Sequence, residues 1–335
     1  MLGMKNRSSM ETQMTPGSRQ AGEAFKRIFA FSQGPLIGLI LLFLFLSFTT
    51  PRFLSVRNYL NIIDQVTRNG IMALGMTFVI IIGGIDLSVG STFVLAMMTF
   101  GVLAADFNVP AQLAMVAGIL AAALGGVVNG VLVTKAKLPA FIATMAMMSI
   151  ARGMANIISN MQQRYNFVPW FGELATKTYL GFFPLTTLMF FVLIIVCWLF
   201  LSYRDTGRKL YAIGGNAEVA RLAGVHVQKL TIWVYVLSAT FAGLAGIVQT
   251  SRLATAQPYA GEGYELDAIA AVVIGGASLN GGVGTIGGTV IGVLITGILR
   301  NGLNLNGVNV YVQTLLIGVV IAVTVAFDIL SKQKR

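Results

Sequence analysis

Ten stretches of this sequence are apolar over enough length to cross a lipid bilayer as helices, and that repetition limits the fold more than any other feature. In hydrocarbon each backbone amide and carbonyl must pair within its own segment, so separate apolar segments predict an all-α bundle. The stretches run 34–50, 69–84, 88–104, 111–133, 138–158, 184–203, 230–250, 265–279, 283–303 and 309–330. Between the first two, residues 53–66 carry Val56, Tyr59, Leu60 and Ile63 on one helical face and Asn58, Asn61 and Asp64 on the other. That pattern predicts an amphipathic helix lying along the membrane interface. With 56% hydrophobic and only 10% charged residues, the chain is far from soluble composition, where about a quarter of residues are charged.

The division that follows is a polar cytoplasmic tail over 1–33, a transmembrane domain over 34–330 with a cytoplasmic loop at 204–229, and a short cytoplasmic tail over 331–335. Lys and Arg total 23 against 12 Asp and Glu, a net charge of +11. With ten spans both termini share one side, and that side collects fifteen Lys and Arg while the opposite loops hold six. Cytoplasmic loops carry the excess of basic residues, which places both termini in the cytoplasm. Topology therefore accounts for the positive charge, and no nucleic-acid partner is implied. The single cysteine, Cys197, lies in an apolar run, and the single histidine, His226, lies in a polar loop. These offer neither a disulfide nor a metal cluster, and no cofactor is expected.

Two segments echo one another. Ile82-Gly83-Gly84-Ile85-Asp86-Leu87 and Ile274-Gly275-Gly276-Ala277-Ser278-Leu279 share I-G-G-x-x-L at an offset of 192 residues, and Gly90 and Gly282 continue the match. This predicts two related halves, each with a Gly-rich helix break. Such breaks point to a translocation pathway, because irregular backbone persists at membrane depth only where protein or water satisfies it. Glycine for close helix packing is the simpler reading of the same residues. Asp86 is open to two readings as well: a carboxylate between apolar spans marks a functional site, or it caps the helix that starts at Ser88 near the cytoplasmic surface. On the first reading Asp86, Ser88, Gly90 and Ser91, with Ser278 and Asn280 in the second copy, line the pathway.

The third distinctive stretch is GGNAEVARLAGV, from Gly214 to Val225. Asn216 suits an N-cap, Glu218 falls in the first turn where the helix dipole favours an anion, and Gly224 suits a left-handed stop. A helix of about two turns results, apolar at Val219, Leu222 and Ala223. It is either an ordinary capped helix in a loop or one shaped for a groove on a partner. No G-x-x-x-x-G-K-[ST] phosphate loop, G-x-S-x-G elbow or H-E-x-x-H motif occurs, so neither ATP hydrolysis nor other catalysis is expected of this chain. An ion-coupled carrier is disfavoured by the scarcity of buried ionisable groups, with Asp86 and Asp267 the nearest candidates.

Taken together, GMTFVIIIGGIDLSVGS (75–91), GGNAEVARLAGV (214–225) and GYELDAIAAVVIGGASLNGGVGT (263–285) resemble the permease subunits of bacterial ABC sugar importers, the ribose permeases above all. The likeness covers nearly everything from Pro51 to Asp328. It implies an inner-membrane protein that moves ribose or a similar monosaccharide into the cytoplasm by alternating access. Its implied partners are an ATP-binding-cassette ATPase, a periplasmic sugar-binding protein, a second permease subunit forming a homodimer, and membrane lipid. Galactose, arabinose or a small signalling molecule are the other substrates the resemblance allows. It also implies that Gly215, Asn216, Glu218, Ala220, Arg221 and Gly224 form the segment that docks in the ATPase. Relatives often show two consecutive small residues after the glutamate, where this chain has Val219 and then Ala220.

Overall fold

The computed structural model of the protein describes residues 34–179 and 183–333, and the tail expected over 1–33 lies outside them. The described chain is helical apart from loops and one two-stranded ladder. In order the helices are α1 (Gly34–Thr49), α2 (Val56–Ile81), α3 (Val89–Ala105), α4 (Ala111–Thr134), α5 (Ala140–Ser159), α6 (Pro169–Thr176) and α7 (Leu185–Tyr203). Then come α8 (Asp205–Gly215), α9 (Ala217–Leu222), α10 (Val227–Leu253), α11 (Tyr264–Ile274), α12 (Ile286–Leu305) and α13 (Val310–Gln333). The ladder pairs β1 (Thr178–Tyr179) antiparallel with β2 (Phe183–Pro184).

Helices α2 and α10 form the centre. From Asn69 to Ile81 every residue of α2 is buried, and α10 packs on α2, α3, α4 and α6. Small residues permit this closeness: a methyl on Gly126 of α4 would lie 2.7 Å from the Val236 Cα, and one on Gly243 of α10 would lie 2.8 Å from Ala122. The outer helices show the reverse character. In α7 Phe191, Val192, Ile195, Val196 and Leu199 are exposed, as expected of a surface that faces hydrocarbon. Among the described residues, α4, α5, α7, α10 and α12 are long and apolar enough to cross a membrane, and α1 and α3 are shorter apolar helices.

Side-chain contacts give the helix directions. Thr77 of α2 meets Thr289 of α12 while Asn58 meets Asn301, so these two helices run antiparallel. Thr67 meets Thr187, at the starting end of α7. The connections gather at two ends: Arg164 binds Asp106 and bridges to Ala256 at one, while Gly83, Gly214 and Gly281 meet at the other.

Three boundaries correct the sequence reading. The amphipathic stretch 53–66 is no separate interfacial helix, because α2 runs unbroken from Val56 to Ile81. The polar side of α2 finds partners at three positions: Asn58 and Asn301 exchange amide hydrogen bonds of 2.9 and 2.7 Å, Asp64 pairs with Arg252 at 2.6 Å, and Arg68 donates to Gln249 at 2.9 Å, while Asn61 stays exposed. The expected span 265–279 shortens to α11, whose eleven residues reach about 17 Å, roughly half the hydrocarbon core. Helix α13 continues to Gln333, so residues 331–333 extend a helix rather than begin a tail.

The Asn58–Asn301 pair is buried, and removing Asn301 leaves the Asn58 side-chain oxygen unpaired, although its amide nitrogen keeps the Phe53 carbonyl at 2.9 Å. Asn301→Leu should cost about 1–3 kcal/mol, while the double variant Asn58→Leu/Asn301→Leu should cost less than the sum of the single changes. Thermal unfolding in detergent of the four proteins measures the difference.

Candidate functional site

The N-cap of α9 forms as its residue types dictate. Asn216 is extended (φ −162°), and its side-chain oxygen accepts from the amides of Glu218 and Val219, both at 3.0 Å. Gly224 takes a left-handed φ of +82° after the last turn. At six residues, α9 is shorter than two full turns. On its surface Arg221 binds both oxygens of Glu218, at 3.0 and 2.5 Å. That hydrogen-bonded contact and its charge hold the Glu218 carboxyl below the usual glutamate range and push Arg221 up. The pair therefore supports α9 at neutral pH and is lost only as acid protonates Glu218 through that lowered range. Ala220 is buried, whereas Val219 and Leu222 are 61% and 75% exposed, leaving two apolar side chains uncovered at the tip of the loop.

Helix α8 seats α9 on the membrane domain. Leu210 and Ile213 are buried, and the Tyr211 hydroxyl donates to the Gly284 carbonyl at 2.7 Å. Burial pushes the Tyr211 phenol up to about 12, so it remains a proton donor throughout the physiological range. At the end of α8, Gly214 lies against the Ile81 carbonyl and the Gly282 amide with no room for a methyl group.

Both glycine-rich stretches end a helix at this point. After α2, Gly83 (φ +78°) donates to Ile80 at 2.9 Å and Gly84 to Val79 at 2.9 Å. After α11, Gly276 (φ +93°) donates to Val273 at 2.9 Å and Ala277 to Val272 at 3.1 Å. Each is a Schellman stop with a left-handed residue that glycine adopts without a Cβ penalty. The two stops then touch. Gly282 donates its amide to the Ile81 carbonyl at 2.8 Å, and a methyl on Gly281 would lie 2.9 Å from Gly83 and 2.8 Å from the Gly214 carbonyl. In the second break Ser278 and Asn280 shape the turn: the Asn280 amide donates to the Ser278 hydroxyl at 3.3 Å, and Ser278 and Val283 are bonded through the backbone at 3.0 Å.

Asp86 is not at the surface. It is wholly buried, and accepts from the Ser88 amide (3.0 Å), the Ser88 hydroxyl (2.6 Å) and the Ser238 hydroxyl of α10 (2.9 Å). Asn129 of α4 donates to Ser88 at 2.9 Å, so the carboxylate ties three helices together and also satisfies the backbone where α3 begins. The Tyr235 hydroxyl is buried against Gly84 without a hydrogen-bond partner. Gly90 is covered by the Gly261 carbonyl and the Glu265 carboxylate, and Ser91 is buried beside it. Thus Asp86, Ser88, Gly90 and Ser91 cluster at the first break, Ser278 and Asn280 lie in the second, and the breaks join through Gly83 and Gly281. Ser238 and Asn129 were not singled out by sequence, although both stand out as polar residues inside apolar helices; Gly214 opens the 214–225 stretch, but nothing local shows that it must be glycine.

Residues 58–325 match the model of a family described as branched-chain amino acid transport system permease components. The ribose import permease protein RbsC of Escherichia coli K12 is 42% identical over 329 residues, covering 95% of this chain and 99% of that one. The chain belongs to this family, as an ABC sugar permease. The ribose import permease of Bacillus subtilis is also 42% identical, across 88% of this permease and 92% of its own length. An L-arabinose ABC transporter permease of Azospirillum brasilense is 35% identical, across 90% and 88%. No solved structure matches the permease.

Glycine at 214 is a steric requirement rather than a helix preference. Gly214→Ala should lower the melting temperature of the purified permease by several degrees, equivalent to about 1–3 kcal/mol of overpacking. Gly38→Ala, at a position with open space around it, should leave it unchanged or raise it. Paired melting curves test the contrast.

Proposed function

We propose that this permease carries ribose, or a closely similar small sugar, into the bacterial cytoplasm, driven by ATPase subunits that grip α9. The observation that carries the reading is the seat of α9: a capped helix with Val219 and Leu222 exposed, joined through α8 to the point where both helix breaks meet. An ATPase closing on α9 would push a stiff object rather than a loose loop, and rigid-body displacement is how such signals travel. Gly215, Asn216, Glu218, Ala220, Arg221 and Gly224 are the proposed coupling residues. Asp86, Ser88, Gly90, Ser91, Ser278 and Asn280 are proposed to border the moving part of the pathway.

In this reading the chain crosses the inner membrane ten times, one crossing made by α11 together with the loop before it, with α8 and α9 and both termini in the cytoplasm. The basic residues Lys135, Lys137, Arg204, Arg208, Lys209, Arg221 and Lys229 fall in the connections on that side, in keeping with the positive-inside rule. Two permease subunits act together, with a periplasmic binding protein delivering the sugar from the other face. Similarity to ribose permeases at 42% identity favours ribose over arabinose, since the L-arabinose permease is less similar. An ion-coupled carrier would place its coupling charge at Asp86; the donors of Ser88 and Ser238 fit a structural role there better.

The test is uptake of labelled ribose by proteoliposomes holding the permease, its ATPase and its binding protein. Flux should require both partners and ATP. Glu218→Ala should insert normally yet reduce sugar moved per ATP by roughly tenfold. Uptake by the permease alone down an ion gradient would overturn the reading.

A further inference from the structure

A crevice of about 500 Å³ opens between α5, the start of α3 and the loop that leads into α11. This lies within the roughly 300–1,000 Å³ range of small-molecule sites. Its walls carry Ser149, Arg152, Asn156, Tyr259, Glu262 and Glu265. The first three stand at i, i+3 and i+7 on α5, a helix otherwise mostly of Ala, Ile, Met and Phe, and therefore share one face. A polar stripe turned to lipid would be costly, so this face borders water or a solute.

The donors and acceptors are arranged for a neutral ligand rich in hydroxyls. Arg152 spends one nitrogen on the Pro258 and Ala260 carbonyls, at 3.1 and 2.7 Å, which fixes the loop and leaves the guanidinium beside the crevice. The side-chain oxygen of Asn156 is buried without a hydrogen-bond partner. Two carboxylates, Glu262 and Glu265, supply further acceptors, and against the Arg152 cation they leave no more than one net negative charge. Tyr259 is anchored by its hydroxyl to the Met161 carbonyl at 3.2 Å, leaving its ring exposed as a flat apolar surface. The floor is Ser91, next to Gly90, which the Glu265 carboxylate covers. From there the chain leads back to Ser88 and the Asp86 network.

Two other crevices lack this combination. One between α3, α4 and α5 is lined by Leu95, Leu103, Leu124, Met147 and similar side chains. Another, near α2 and α10, has its charges already engaged in the Asp64–Arg252 pair and the Arg68–Gln249 bond.

We infer that the α5 crevice is a station for the sugar on its way to the first helix break, binding a polyhydroxylated monosaccharide through Ser149, Arg152, Asn156 and Glu262 with Tyr259 against its ring. This rests on the import reading above. Ser149 is exposed and Cys197 is buried, so a Ser149→Cys/Cys197→Ala permease offers one accessible thiol; Tyr259→Cys in the same background is a second attachment point.

The complete transporter bearing either variant is assayed for labelled-ribose uptake before and after thiosulfonate reagents of increasing bulk. A comparison of the same protein with itself excludes misfolding as the cause. Bulky modification should cut uptake by about tenfold or more while the ribose-loaded binding protein still stimulates ATP hydrolysis, and excess ribose should slow the modification. Unchanged uptake after complete modification of both variants would overturn the station and leave import intact. Failure of the unmodified wild-type complex to take up ribose would instead overturn the import reading, and the station with it.

Discussion

The architecture depends on a contact made by backbone alone. Gly282 gives its amide to the carbonyl of Ile81, and Gly214 closes over both. Three chain segments distant in sequence can meet at that separation only where no side chain intervenes. The consequence is mechanical. The last turns of α2 and α11, the entry to α12 and the end of α8 share one packed joint, so displacement of α8 cannot leave the two breaks unmoved. Tyr211, hydrogen-bonded to Gly284, adds a side-chain tie beside it. A packed joint of this kind transmits displacement as a rigid body rather than deforming continuously, which is the property an alternating pathway needs.

Elsewhere in the bundle many polar groups of the membrane domain are held by one another. Asp86 collects three donors, Asn58 and Asn301 exchange two bonds, and Arg300 pairs with Asp267 at 2.7 Å. Each would be costly to bury alone. With the Asp64–Arg252 pair and the Arg68–Gln249 bond, the Asn58–Asn301 exchange explains how α2 carries Asn58, Asp64 and Arg68 and still forms the centre of an apolar bundle.

Residue chemistry made the local features legible, and distance in sequence hid the rest. Asn216 and Gly224 delimit α9 because capping and left-handed stops are properties of single residues. The I-G-G stretches each announce the end of a helix, yet their structural register differs by one: the left-handed residue is Gly83 in the first and Gly276 in the second, although the sequence match aligns Gly83 with Gly275. The first helix ends with Ile82 as its cap, whereas the second ends with Gly275. Nothing local tells that Gly83, Gly214 and Gly281 come together, since backbone contacts leave no pattern in side-chain periodicity. Residues 53–66 were misread for a related reason. Their polar face matches an interfacial helix, and only the tertiary partners Asn301, for Asn58, and Arg252, for Asp64, turn it inward.

The central claim is that α8 and the two breaks move as one body, and amide hydrogen exchange across residues 275–285 tests it most directly. The complete transporter is sampled at rest and during ATP turnover with sugar-loaded binding protein. A joint that travels intact predicts that the Gly282 amide stays as protected in turnover as at rest. Loss of protection in this segment during turnover would mean that the three strands of backbone part in each cycle, and that the motion of α9 reaches the pathway by another route.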